Sequence, residues 1–120
     1  MRRAVTILAA WAILAWAGRS GSLVQQAPSR VLEQKNPYAA SEEAARAGAK
    51  LYLRQCAACH GRDAAGIGKA PPLISPLVRE ASPGALFWVL RNGAVFHGMP
   101  SFAHLPDHQR WQIVTYLKTL

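Results

Sequence analysis

The run Cys56-Ala57-Ala58-Cys59-His60 constrains this chain more than any other stretch. Its two thiols are the only cysteines in 120 residues. A structural zinc site takes four ligands, usually from two such pairs, and there is no second pair here. A redox dithiol wants a preceding strand and a βαβ context, whereas the residues upstream read as helical. Neither reading uses the histidine. C-x-x-C-H is also the pattern of covalent haem attachment. Each thiol adds to one porphyrin vinyl group, so the cysteines must be close but not adjacent. The next residue then swings under the macrocycle and offers a nitrogen to the iron. Zinc or dithiol chemistry is the weaker alternative.

With both cysteines in the motif, no structural disulfide is left to staple a small fold. Such a domain often leans on a cofactor for its core. Residues 1–17 stand apart from it. Met1-Arg2-Arg3 is a positive start, Ala4 to Ala17 is apolar except for Thr6, and Ala15-Trp16-Ala17 has the small-x-small form of a cleavage site. The run is short for a membrane span, which needs about 20 apolar residues. The expectation is a cleaved secretory signal, with an uncleaved anchor as the alternative favoured by Trp11 and Trp16. Either way the chain is exported, to a bacterial periplasm, soluble or tethered to the inner membrane. Residues 18–36, with Gly, Ser, Gln and Pro28 and no strong period, read as a linker. The domain is expected at 37–120.

Within that domain Ser41 is a candidate N-cap, with Glu42 and Glu43 in the first turn where the helix dipole favours anions. An Ala-rich helix is expected from Glu42 to Gln55, delivering Cys56 at its end. Its buried face would hold Ala44, Gly48, Leu51, Tyr52 and Gln55. Ser75-Pro76 opens a short connector or helix. Ser82-Pro83 opens another helix, with Leu86, Val89 and Leu90 buried, Phe87 or Trp88 at the edge, and Asn92-Gly93 as its end. Pro106 opens the last helix, expected to run to Thr119. Its apolar stripe is Trp111, Val114 and Leu117, with Ile113 and Leu120 at the edge. This helix is expected to cross the first at Gly48 and Tyr52.

Two further residues carry chemistry in this reading. An iron-bound imidazole needs an acceptor for its other ring N–H, and the carbonyl of rigid Pro71 is the candidate. Met99 stands in the loop Gly98-Met99-Pro100. Once Met1 leaves with the signal, it is the sole methionine, and it is expected as the sixth iron ligand. His97, His104 and His108 are expected to face solvent, with His97 a lesser candidate to replace Met99.

Taken in order, these residues resemble a class I (monohaem) cytochrome c. The matching positions are Gly48, Tyr52, Cys56 to His60, Pro71, Leu73, Asn92-Gly93, Gly98 to Phe102, and Trp111 to Leu117. The resemblance covers about Asn36 to Leu120 and implies an all-α small cytochrome c fold. Its helices would pack around one covalently bound haem c, with the N- and C-terminal helices crossing. It implies cofactor binding by Cys56, Cys59, His60, Met99 and Pro71, with His60 and Met99 as the iron ligands. The function implied is one-electron transfer between respiratory or dehydrogenase partners, without catalytic residues and not as an enzyme. The alternatives are a haem subunit docked in a larger oxidoreductase, or a haem-based ligand sensor.

The formal charge is +8. Loss of residues 1–17 removes Arg2 and Arg3, leaving twelve basic side chains against six acidic, or +6. That balance suits redox protein partners with an acidic docking surface, or an anionic membrane surface; membrane association is the alternative if the N-terminal segment is retained. The positive residues are scattered, so no nucleic acid is expected. Arg62, Lys69 and Arg91 are candidates to flank the haem edge or steer an acidic partner, and Arg91 or Trp88 to hydrogen-bond a propionate.

Overall fold

The computed structural model describes residues 22–120. The expected signal or anchor, residues 1–17, and the first part of the expected linker lie outside the described residues. Among the described residues the fold is all-α, with six α-helices, two 3-10 turns and no strand. Helix α1 spans Ser29–Leu32, α2 Glu42–Gln55, α3 Ala57–His60, α4 Pro76–Glu80, α5 Pro83–Asn92 and α6 Asp107–Leu117.

Ser41 caps α2, its Oγ accepting from the Ala44 amide at 3.1 Å, with Glu42 and Glu43 in the first turn. Its buried residues are Ala44, Gly48, Leu51 and Tyr52, while Gln55 is half-buried. At Cys56 the backbone breaks, and the short α3 carries Cys59 and His60.

Helix α6 lies across α2, and Gly48 makes the approach possible. A Cβ at residue 48 would stand 1.9 Å from the Gln112 carbonyl oxygen and 2.9 Å from Tyr116 Cβ. The propensity cost of a mid-helix glycine, ~1 kcal/mol against alanine, therefore permits a backbone-to-backbone contact. Beside it the rings of Tyr52 and Tyr116 lie 5.3 Å apart, tilted at 51°.

Some faces differ from expectation. Of the two edge candidates, Trp88 is half-buried at the edge and Phe87 is buried, because the Phe87 ring stacks on Trp111 at 4.0 Å between centroids. The Arg110 guanidinium lies 4.8 Å from the Phe87 centroid and pairs with Asp107. Ile113 is fully buried. Pro106 is the N-cap of α6, and the helix stops at Leu117, short of Thr119. Lys118 leaves the helix line to donate to the carbonyls of Arg79 at 2.5 Å and Ala81 at 2.7 Å, at the end of α4.

The described part of the expected linker, residues 22–36, is folded onto the domain. Leu23–Gln26 forms a 3-10 turn and α1 follows, both against α5. Ala27 is buried. Asn36 is buried too, its Nδ2 donating to Thr115 Oγ1 at 2.8 Å on α6. This packing was invisible as periodicity, because each piece is too short to show a helical repeat.

Candidate cofactor site

The loop after α3 is built around Ala64. This residue is fully buried and has a left-handed backbone, φ 60°. Its carbonyl accepts from the amides of Leu73 at 2.8 Å and Ile74 at 3.2 Å. Those bonds fold 65–72 back over the motif. His60 Nδ1 then lies 2.9 Å from the Pro71 carbonyl oxygen. A carbonyl only accepts, so Nδ1 carries the proton and Nε2 keeps a free lone pair. The imidazole is thereby oriented with a metal-ready nitrogen.

Tyr52 supports the same corner from below. Its hydroxyl donates to the Gly61 carbonyl, the residue after His60, at 2.7 Å. Burial, then the nearby Cys56, Tyr116 and Asp63, push the phenol up from 10.0 to about 12. Burial, and after it Cys59, push the Cys56 thiol up from 9.0 to about 11. Cys56 is buried and Cys59 exposed.

Met99 is delivered by a closed loop. Its backbone and that of Ala94 exchange two hydrogen bonds around the turn Val95–His97, with Gly98 at φ 86°. The loop is fastened to the end of α5. Phe102 N donates to Leu90 O at 2.8 Å, and Ser101 Oγ donates to Arg91 O at 2.5 Å.

These pieces meet in one cavity of about 550 Å³ with a mostly apolar wall, a size proper to a small-molecule or cofactor site. Cys56, Cys59, His60, Pro71 and Met99 all line it, so the structure brings every expected site residue together. Val89 is half-buried because it faces this space. His97 also lines the cavity but is exposed, as are His104 and His108. Lys69 lines it, whereas Arg62, Arg91 and Trp88 do not. The sequence reading missed Ser22, Leu23 and Val24, which form part of the wall. Their only signal was the apolar pair Leu23-Val24 inside a polar stretch.

Two thiols, an imidazole with a free Nε2 and a thioether on one apolar cavity are the donor set of a c-type haem. The residues present fit that group. The fold and this site define a class I monohaem cytochrome c, a class whose cofactor is covalently attached haem c. More closely, residues 43–117 match the family described as cytochrome c oxidase, cbb3-type, subunit III, and the chain belongs to that family.

Among curated proteins, the chain is 35% identical over 92 residues to cytochrome c550 of Pseudomonas aeruginosa, covering 72% of this chain and 62% of that one. It is 32% identical over 84 residues to the cytochrome c subunit of the quinone alcohol dehydrogenase of Gluconobacter oxydans, covering 60% of this chain and 18% of that one. The chain thus spans less than two thirds of either relative. Among solved structures, cytochrome cL of Methylophaga aminisulfidivorans superposes with a TM-score of 0.62 at 24% identity, covering 85% of this chain and 70% of that one. Cytochrome cL of Hyphomicrobium denitrificans gives 0.56 at 18% identity, over 84% and 67%. These two likenesses concern the fold alone.

Proposed function

We propose that this chain is a one-electron carrier. Cys56 and Cys59 hold the haem by thioether bonds, and His60 Nε2 and Met99 Sδ ligate its iron. When bound, the haem supplies exchange of one electron between ferric and ferrous iron. The carrying observation is that His60, with Nδ1 engaged by Pro71, lines the same apolar cavity as Met99 and both cysteines. The chain's own residues do three things. The Pro71 carbonyl fixes the imidazole's tautomer and raises its basicity. The Ala94–Met99 clamp holds the thioether in place, and thioether sulfur favours ferrous iron. The apolar wall excludes water, which also raises the potential.

A second reading has support of its own. The family description and the Gluconobacter relative both name subunits of larger oxidoreductases, so the same domain would work docked in such a complex. The fastened Met99 loop speaks against a sensor with a displaceable distal ligand. The setting proposed is the bacterial periplasm, with residues 1–17 as signal or anchor. Among the described residues, no helix is long and apolar enough to cross a membrane. The partners proposed are redox proteins that present acidic surface to this basic chain.

The test is expression in a host that matures c-type cytochromes. The purified chain should carry the mass of one haem and keep it after denaturation. Replacing Cys56 and Cys59 together by alanine should abolish that retention. A colourless parent protein would remove the proposal.

A further inference from the structure

The loop that carries Met99 has an apex with no place in the core. Val95 is 67% exposed and Phe96 101%. Neither lines the cavity, although His97 and Gly98, next in the chain, both do. The apex therefore projects beside the cavity mouth rather than into it. A fully exposed aromatic forgoes the burial that ordinarily places phenylalanine inside. The loop is nevertheless closed. Ala94 and Met99 exchange two backbone hydrogen bonds around the turn, and Phe102 N and Ser101 Oγ fasten its return to α5. A side chain presented by a closed turn has less freedom left to lose when another surface covers it.

The mouth beside it is apolar and free of negative charge. Ile67, 58% exposed, and Leu77, 42% exposed, line the cavity and also reach solvent. Lys69 and His97 line it and are exposed. No carboxylate lines it among the described residues. Segments 64–79 and 81–106, which supply these residues and the apex, contain no Asp or Glu but hold Lys69, Arg79 and Arg91. An aromatic anchor among apolar groups, with one sign of charge around them, is the make-up of a protein-docking surface. The complement is a protein with an apolar recess bordered by carboxylates. An anionic bilayer also offers apolar and negative groups, but it holds no redox centre, and covering this mouth would keep one away. A second copy of this chain brings the same positive charge.

We propose that the Val95–Phe96 apex is the docking element of this chain, with Phe96 entering an apolar recess on a redox protein whose rim carries carboxylates. This rests on the electron-carrier reading above. Docking there brings the partner to the methionine side of the cavity, three residues along the chain from Met99. The apolar contact holds the complex, and the positive surroundings orient it.

The test uses the full chain matured with haem, in parent, Phe96→Ala and Phe96→Leu forms. Intact mass and midpoint potential first establish covalent loading and an unaltered haem site. Electron exchange with respiring membranes of the source bacterium is then measured against cytochrome concentration, with reduction by ascorbate as the control that needs no docking. Phe96→Ala should raise KM about tenfold or more, the scale of a central interface anchor, and leave the ascorbate rate unchanged. Phe96→Leu, which keeps an apolar body, should lose less. Added salt should raise KM of the parent and of Phe96→Ala by the same factor, because the charges remain. Equal KM in the loaded parent and Phe96→Ala overturns the proposal. So does a parent that is indifferent to salt or exchanges no electrons with the membranes. Binding to anionic phospholipid vesicles, or a dimer in sedimentation, that Phe96→Ala abolishes would assign the apex to lipid or to a second copy, and overturns it equally. A parent chain that takes up no haem overturns the haem reading itself, which is a distinguishable result.

Discussion

Ala94 and Met99 exchange both backbone hydrogen bonds, Ala94 N to Met99 O at 2.9 Å and Met99 N to Ala94 O at 3.1 Å. The pair closes a loop whose apex, Val95 and Phe96, is exposed. Met99 is therefore placed by backbone, and its partly buried side chain packs at the edge of the core and lines the cavity. Met99→Ala should leave the fold intact, open the sixth iron position and lower the midpoint potential, since loss of the thioether removes its preference for ferrous iron. Carbon monoxide binding to the ferrous protein, absent in the parent, is the direct check. An unchanged spectrum would take Met99 out of the site.

The contact of Gly48 with the Gln112 carbonyl predicts an intolerant position. Gly48→Ala gains up to ~1 kcal/mol of helix propensity but forces the two helices apart. Overpacking of this kind costs about 1–3 kcal/mol, and backbone cannot yield as a side chain would. With the full propensity gain subtracted, the expected net loss is up to roughly 2 kcal/mol, read from the midpoint of a urea melt. A variant more stable than the parent would show that α2 and α6 do not meet at Gly48.

Tyr52 makes stability depend on alkaline pH. Its folded value, pushed up to about 12, lies above the ordinary 10.0. The folded state then holds the proton more tightly than the unfolded chain. The contribution is present in full below pH 10 and is lost as pH rises toward 12. Burial is the first cause, so the direction survives conversion of Cys56 to a thioether. Tyr52→Phe should flatten this alkaline limb and cost about 1 kcal/mol at neutral pH. The cost stays modest because the Gly61 carbonyl also accepts from Ala64 N at 3.1 Å. Melts in urea at stepped pH values separate the two effects.

Lys118 joins α6 to the end of α4 through two carbonyls. Lys118→Met keeps the stem and removes the donors. The expected loss is about 1.5–3 kcal/mol, the range for hydrogen bonds that involve a charged group. Hydrogen exchange should show the amides of 79–81 opening more readily in the variant. Equal protection in both proteins would mean that Lys118 does not hold α4.

The helices were legible where a cap and a period coincide. Ser41 with Glu42 and Glu43, and Ser82 with Pro83, mark starts that the structure reproduces. The faces were legible where an apolar stripe meets one neighbour, as at Leu51 and Tyr52. They failed where two neighbours compete. Phe87 and Trp88 read as equal candidates for the edge until Trp111 is laid against Phe87, and Val89 reads as core until the cavity is seen. Arg110 looks like surface beside His108 and Gln109, yet it is buried against Phe87.

From the order of residues alone came the chemistry: two thiols and an imidazole at spacings that suit one macrocycle, a lone methionine downstream, and helices enough to enclose them. Those depend on covalent spacing and local propensity, which act over a few neighbours in the chain. Tertiary structure decided what closes the space around them. It folded residues 22–36 onto α5, set Leu23 and Val24 in the cavity wall, and brought the Pro71 carbonyl to His60 through the bonds at Ala64. Contacts of that kind join residues far apart in sequence. They form only when burying apolar surface offsets the entropy of closing the loops between them, a balance no local pattern records.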